Sequence, residues 1–213
     1  MFKLKKCNIG PLLWILSAQY FFVQLFAMHS FLGGFSIRYN TISDLGNTVC
    51  GPFGGRHVCS PYHNAMNISF VVLGLCQLVG ARYIYKLLAS GRLNAVSFGA
   101  LGISGIGTIL VGLFPENTIG LIHGIGAGLP FFVGNVAIIL LGFSLKVPKL
   151  LKVYTLFTGL IAVVALILFV TQTYFGIGIG GLERLVAYPQ TVWLIVVGAY
   201  SLWLKYAHDQ PAL

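Results

Sequence analysis

Six runs of about twenty apolar residues fill most of this chain, and the segments between them are too short to fold independently. Each run is long enough to cross the roughly 30 Å hydrocarbon core of a bilayer as a helix. Hydrocarbon offers no partners to backbone N–H and C=O groups, so such runs satisfy them internally by becoming helical. Only 8% of the 213 residues are charged, against about a quarter in a water-soluble domain. The fold class that follows is all-α: a single transmembrane domain over 1–213, with six helices in one bundle. The spacing predicts helices over about 9–31, 63–85, 93–114, 119–145, 153–175 and 187–204, and one long loop over 34–62. The first run, Cys7 to Gly33, is too long for the apolar core of a secretory leader and reads as a retained helix.

A formal net charge of +9 would suit a nucleic-acid binder, but the cations sit at the ends of apolar runs and not on one polar face. Nucleic acid is therefore not an expected partner, and membrane lipids are. Lys3, Lys5, Lys6, Arg82, Lys86, Arg92, Lys146, Lys149, Lys152 and Lys205 fall on one side, which is ten of the thirteen Lys and Arg residues. Arg38, Arg56 and Arg184 fall on the other. The excess of cations on cytoplasmic loops then places both termini in the cytoplasm of a multi-pass protein of the cell membrane. A cysteine introduced by Thr118→Cys is expected to react with a membrane-impermeant maleimide added outside, and one introduced by Ser90→Cys is not. Labelling of Thr118→Cys only from the cytoplasm would reverse the orientation.

Ionisable groups other than the cations gather at the outer side, where no topology rule requires them. Asp44, Glu116 and Glu183 lie there, as do His29, His57, His63 and His123, leaving only Asp209 and His208 inside. Charges this close to hydrocarbon are costly and tend to mark function. Asp44 reads as a metal ligand, a general base, or the ion-pair partner of Arg38 or Arg184. With Ser43 it also suits the cap of a short re-entrant helix. His63 and Asn67 are four apart and share a helix face. His123 lies one turn inside the fourth helix on a glycine-rich wall and needs a partner, with Glu116, Asn117 and Asp44 as candidates. Glu183 is expected to reach His123 or Arg38, and Arg184 to reach Asp44 or an anionic headgroup. The site expected from these residues has Asp44, His63, His123, Glu116 and Glu183 as catalytic groups. Arg184, Arg38, Asn67 and Asn117 are its substrate-binding groups. Asp44, His63 and His123 together could hold zinc with an open position for water.

Two further features concern packing and redox state. Cys50 and Cys59 lie in the outer loop and are expected to form a disulfide. Cys7 and Cys76 offer no second pair that would relay electrons. Gly120, Gly124 and Gly128 carry the GxxxG spacing that lets helices approach closely in lipid.

The strings Asn40-Thr41-Ile42-Ser43-Asp44-Leu45-Gly46, Cys59-Ser60-Pro61-Tyr62-His63-Asn64-Ala65-Met66-Asn67 and Gly112-Leu113-Phe114-Pro115-Glu116-Asn117-Thr118 resemble a known family. His123, Gly134-Asn135, Glu183-Arg184 and Ala187-Tyr188-Pro189 complete the pattern. The family is the uncharacterised membrane family called domain of unknown function 998. The resemblance spans nearly the whole chain and implies a six-helix membrane protein without implying an activity. A looser similarity links the chain to ceramidases and progestin-type receptors, which set Ser, Asp and His around zinc in a helical bundle. Their paired histidines, four apart in the last helix, are not present here.

These readings point first to an enzyme acting on a lipid or lipid-linked group at the outer leaflet, as a hydrolase or transferase with or without a metal. The alternative is a non-enzymatic protein that binds lipid or a partner through the same residues. A transporter fits less well, because the inner half holds little charge and no internal repeat is evident. A b-haem between His63 and His123 would rest on a single histidine pair.

Overall fold

The structure is a computed structural model that describes residues 8–208. Lys3, Lys5, Lys6 and Asp209, which enter the topology reading, and Cys7, which enters the redox reading, lie outside the described residues. Among the described residues six helical segments are long and apolar enough to cross a membrane: Ile9–His29, His63–Leu88, Arg92–Leu113, Gly120–Ser144, Lys149–Val170 and Gly178–Ala207. The protein is thus an all-α bundle with the character of a multi-pass membrane protein. Its outer surface supports this, since Phe22, Leu121, Leu150, Val170 and Phe175 are each at least 70% exposed. Apolar surface on that scale is stable only against lipid or another protein.

The first crossing divides into α1 (Ile9–Leu16) and α2 (Gln19–His29). The step between them is overwound, with the N–H groups of Ser17 and Ala18 reaching back three residues to Trp14 and Ile15. The second and third crossings are α3 (His63–Leu88) and α4 (Arg92–Leu113), which pack along each other. A side chain on Gly74 would meet the Gly105 carbonyl at 2.4 Å, and one on Gly112 would meet that of Asn67 at 2.4 Å. The contact is therefore backbone to backbone, as small residues permit in lipid.

The fourth crossing has three parts: α5 (Gly120–Gly128), a π-helical segment Leu129–Gly134, and α6 (Asn135–Ser144). Pro130 sits in the π segment, where its missing N–H is accommodated by the wider turn. The fifth crossing, α7 (Lys149–Val170), begins and ends earlier than the 153–175 expected from hydropathy. The chain turns at Thr171–Thr173, where the Thr173 N–H bonds the Leu168 carbonyl, although the residues beyond are still apolar.

The sixth helix corrects the sequence reading most. The α8 helix runs Gly178–His208, nine residues longer at its start than expected, and carries Pro189 inside it. Glycines 176 to 181 look like a link in the sequence. Two of them instead allow the helix to touch the outer loop. A Cβ on Gly178 or Gly180 would fall 2.1 Å from the carbonyl oxygens of Arg38 and Asn40. Glu183 and Arg184 therefore sit within a helix and not in a loop before it.

The outer loop is not draped over the bundle end. Its segment Asn40–Asn47 is inserted, with Ile42, Asp44, Leu45 and Asn47 buried. The centre of the insertion is a 3₁₀ turn, Ser43–Gly46, in place of the expected re-entrant helix. After it come β1 (Gly51–Phe53) and β2 (Arg56–Val58), an antiparallel hairpin in which Phe53 pairs with Arg56. The two-residue turn is Gly54-Gly55, with φ of +55° and +78°. Both values need glycine and match the tight turn favoured by twisted hairpins. The disulfide Cys50–Cys59 closes the base of this hairpin.

Candidate functional site

The inserted turn brings a hydroxyl onto a histidine from another part of the chain. Ser43 Oγ lies 2.9 Å from His123 Nε2 on α5. His123 Nδ1 lies 2.8 Å from the Phe114 carbonyl at the end of α4. A carbonyl only accepts, so Nδ1 carries the proton, and in the neutral ring Nε2 is left as the acceptor of the Ser43 O–H. That arrangement is a serine hydroxyl held on a base whose tautomer is fixed by the backbone. It does not extend to a carboxylate on the ring. Glu183 instead faces Ser43, with Oε1 3.5 Å from its Oγ, while Oε2 accepts from the Ile42 N–H.

Behind the serine, Asp44 anchors the turn. Its carboxylate is fully buried and receives Arg56 through Nε and Nη2, each at 2.6 Å. The Asn40 amide and the Thr41 N–H donate to it as well, both at 3.0 Å. Burial works against its charge, but the hydrogen bonds from Arg56 and Asn40 outweigh it and hold Asp44 below the usual carboxylate range. The expected partners Arg38 and Arg184 do not reach Asp44. The hairpin with its Gly-Gly turn delivers Arg56, which the sequence reading had not singled out. Arg184 spends one nitrogen on three backbone oxygens, those of Ile37, Asn40 and Gly180, and lies over the Phe35 ring. It is a clamp on the loop.

Glu116 is the other unusual carboxyl. Asn47 donates to it at 3.3 Å. Burial and the nearby Asp44 charge push it up to about 8, so it keeps its proton at neutral pH. An acid whose folded value lies above its usual 4.5 adds stability below that value, and the benefit is lost as pH rises through about 8. Thermal unfolding of the wild type between about pH 5 and about pH 9 is expected to show a falling midpoint over that window. Glu116→Gln, which imitates the protonated form, is expected to flatten the fall. An equally steep decline in the variant would place the titration elsewhere.

Ser43, Glu116, His123 and Glu183 share the wall of one groove of about 520 Å³. Thr41 lines it as well, and its other side chains are apolar: Phe131 and Phe132 follow α5, and Leu166, Phe169 and Val170 belong to α7. It lies between the fourth and fifth crossings. Gly124 and Gly128 line it, and a Cβ at Gly120, Gly124 or Gly128 would meet nothing within 4 Å. The GxxxG stripe is thus not a helix contact as expected. The close contact on α5 is made by Gly126 against Gly107 of α4. The stripe leaves the groove open.

Other expected site residues lie around the groove without lining it. His63 Nδ1 is turned to the Ser60 carbonyl at 2.8 Å. Asn67 donates to the Gly46 carbonyl at 2.9 Å and props the turn from α3. Asn117 exchanges two hydrogen bonds with Thr48, pinning the loop to the α4–α5 connection. Arg38 is exposed on the outer rim. The zinc set does not fit. Asp44 is committed to Arg56, both ring nitrogens of His123 are engaged, and His63 is directed elsewhere. Among the described residues no three His, Cys, Asp or Glu side chains come together as a metal site needs. The same two bonds leave His123 no free nitrogen for a haem iron.

A family model described as a protein of unknown function (DUF998) matches residues 15–200. The chain belongs to that family. No curated protein and no solved structure matched it. The DUF998 match covers the inserted turn, His123 and Glu183 alike, so the whole candidate site lies within the family's common region.

Proposed function

We propose that this DUF998 member is a lipid-processing enzyme of the cell membrane that cleaves or transfers an acyl group at the outer leaflet, with Ser43 as nucleophile and His123 as base. The observation that carries this reading is the 2.9 Å contact between Ser43 Oγ and His123 Nε2 on the wall of a largely apolar groove. A lipid chain entering between α5 and α7 would lie against Phe131, Leu166 and Phe169. In the proposed step Ser43 Oγ bonds to the ester carbonyl carbon while its proton passes to His123 Nε2. The leaving alkoxide then takes that proton as the ester bond breaks. Water, or a second lipid hydroxyl, takes the acyl group from Ser43 in the reverse sense. Glu183 holds the Ile42 N–H and so fixes the backbone that presents Ser43.

The groove itself is the feature to test. Gly124→Leu fills open space on an exposed helical position, and leucine is favoured over glycine in a helix by about 0.8 kcal/mol. Turnover of a long-chain ester lipid in reconstituted vesicles is expected to fall at least about tenfold, with an unfolding midpoint equal to or above the wild type's. Unchanged turnover with Gly124→Leu would remove the groove from the reading.

A further inference from the structure

A second groove, of about 470 Å³, lies on the outer face between the hairpin turn and the start of α8, apart from the Ser43 site. Arg38 and Arg56 line it, with Tyr39 and Tyr174 beside them. We infer that this groove is a seat for a phosphate-bearing anion, and specifically for the headgroup phosphate of the lipid whose acyl chain occupies the groove at Ser43. The inference rests on that reading of the Ser43 groove and adds the substrate class.

Three observations carry it. The first is charge. Arg56 is matched by Asp44, whereas Arg38 has no carboxylate partner among the described residues. Its guanidinium is free for a ligand and lies over the Tyr39 ring at 5.3 Å. A planar guanidinium fork suits phosphate oxygens better than a point charge does.

The second observation is that the site is built. The Arg38 carbonyl accepts from the Gly180 N–H at 3.1 Å, and the carbonyls of Ile37 and Asn40 on either side are held by Arg184. The Arg38 stem passes over Gly178, where a Cβ would lie 2.6 Å from Arg38 Cγ. With φ of +75° and no side chain, Gly178 leaves room for that stem.

The third is position. Arg56 Nη2 donates to Thr41 Oγ1 at 3.2 Å, and Thr41 lines the groove that holds Ser43. Thr41 thus joins the walls of the two grooves, and in the proposed pose one lipid lies across it with its phosphate at Arg38 and its ester at Ser43. Tyr39 and Tyr174 are residue types that favour the headgroup level of a membrane.

The test is a binding measurement on the full-length Ser43→Ala protein in detergent, which turns nothing over. Its probes are dihexanoyl phosphatidylglycerol, dihexanoylglycerol and inorganic phosphate. The phospholipid is expected to bind at least about tenfold more tightly than the phosphate-free diacylglycerol. Adding Arg38→Ala is expected to abolish that difference while leaving diacylglycerol binding unchanged. Arg38→Lys keeps the charge without the fork and is expected to fall between. Since Arg38 is exposed, the unfolding midpoint without ligand should match in all three proteins.

Inorganic phosphate binding as tightly as the phospholipid, and lost with Arg38→Ala, supports the anion seat with free phosphate as its source. Equal binding of phospholipid and diacylglycerol, or phospholipid binding indifferent to Arg38, overturns the proposal. Arg38-dependent binding by a wild type that cleaves no ester would keep the seat and remove the catalytic reading. Ester cleavage without Arg38-dependent binding would do the reverse.

Discussion

Ser43→Ala is expected to reduce acyl release or transfer by at least about a thousandfold while leaving the fold intact. The hydroxyl makes two contacts, at 2.9 Å to His123 and 3.5 Å to Glu183, and neither secures the turn. Asp44, Asn67 and Ser60 do that: Asn67 donates to the Gly46 carbonyl and Ser60 Oγ to the Leu45 carbonyl at 2.7 Å. The unfolding midpoint should therefore stay close to the wild type's. His123→Ala should cause a loss of similar size, because Glu183, the other acceptor near the hydroxyl, stands off at 3.5 Å and is engaged by the Ile42 N–H. The pair is expected to be strongly non-additive, the double variant being no worse than either single one. If the losses multiply, the two side chains do not act as one device. A purely structural pair would show the opposite pattern, with stability lost and no specific effect on turnover.

The second large effect concerns stability. Arg56→Leu leaves the Asp44 carboxylate, fully buried, without its cation. Breaking a buried pair on one side costs about 3–5 kcal/mol, and the lower end applies here because Arg56 retains 19% exposure. Chemical or thermal unfolding of the full chain should show a loss of about 3 kcal/mol. Combining it with Asp44→Asn, which removes the stranded charge, should recover part of that loss. A double variant as unstable as the sum of the two single ones would mean that the pair is not coupled. Activity is expected to fall with stability, since Asp44 adjoins Ser43 in the same turn.

The crossings were legible in the residues because hydrocarbon imposes a length and a composition that little else imitates. The disulfide was legible too, from two cysteines in one outer loop. The gathering of Asp44, Glu116, His123 and Glu183 at one end could be read from charge placement alone. Their partners could not. Ser43 and His123 are 80 residues apart, and a serine beside an aspartate looks first like a helix cap. Arg38 and Arg184 were the expected partners of Asp44, and the hairpin supplied Arg56 instead. Its signal was present, since Gly54-Gly55 between two short β-prone runs and two cysteines is a hairpin pattern. The start of α8 was hidden for a different reason. Glycines that allow close backbone approach look the same in sequence as glycines that break a helix. Spacing in α5 likewise shows small residues but not what they face, and Gly124 faces the groove while Gly126 faces α4.

The proposed reaction requires His123 to activate Ser43 for attack on a lipid acyl group. A lipophilic fluorophosphonate reports on that directly, because it bonds only to a serine whose proton can be removed. Incubated with the full chain in vesicles and followed by peptide mass spectrometry, it should modify the peptide carrying Ser43 in the wild type. The adduct should be absent from His123→Ala. No adduct on the wild-type Ser43 peptide, or the same adduct in His123→Ala, would contradict it.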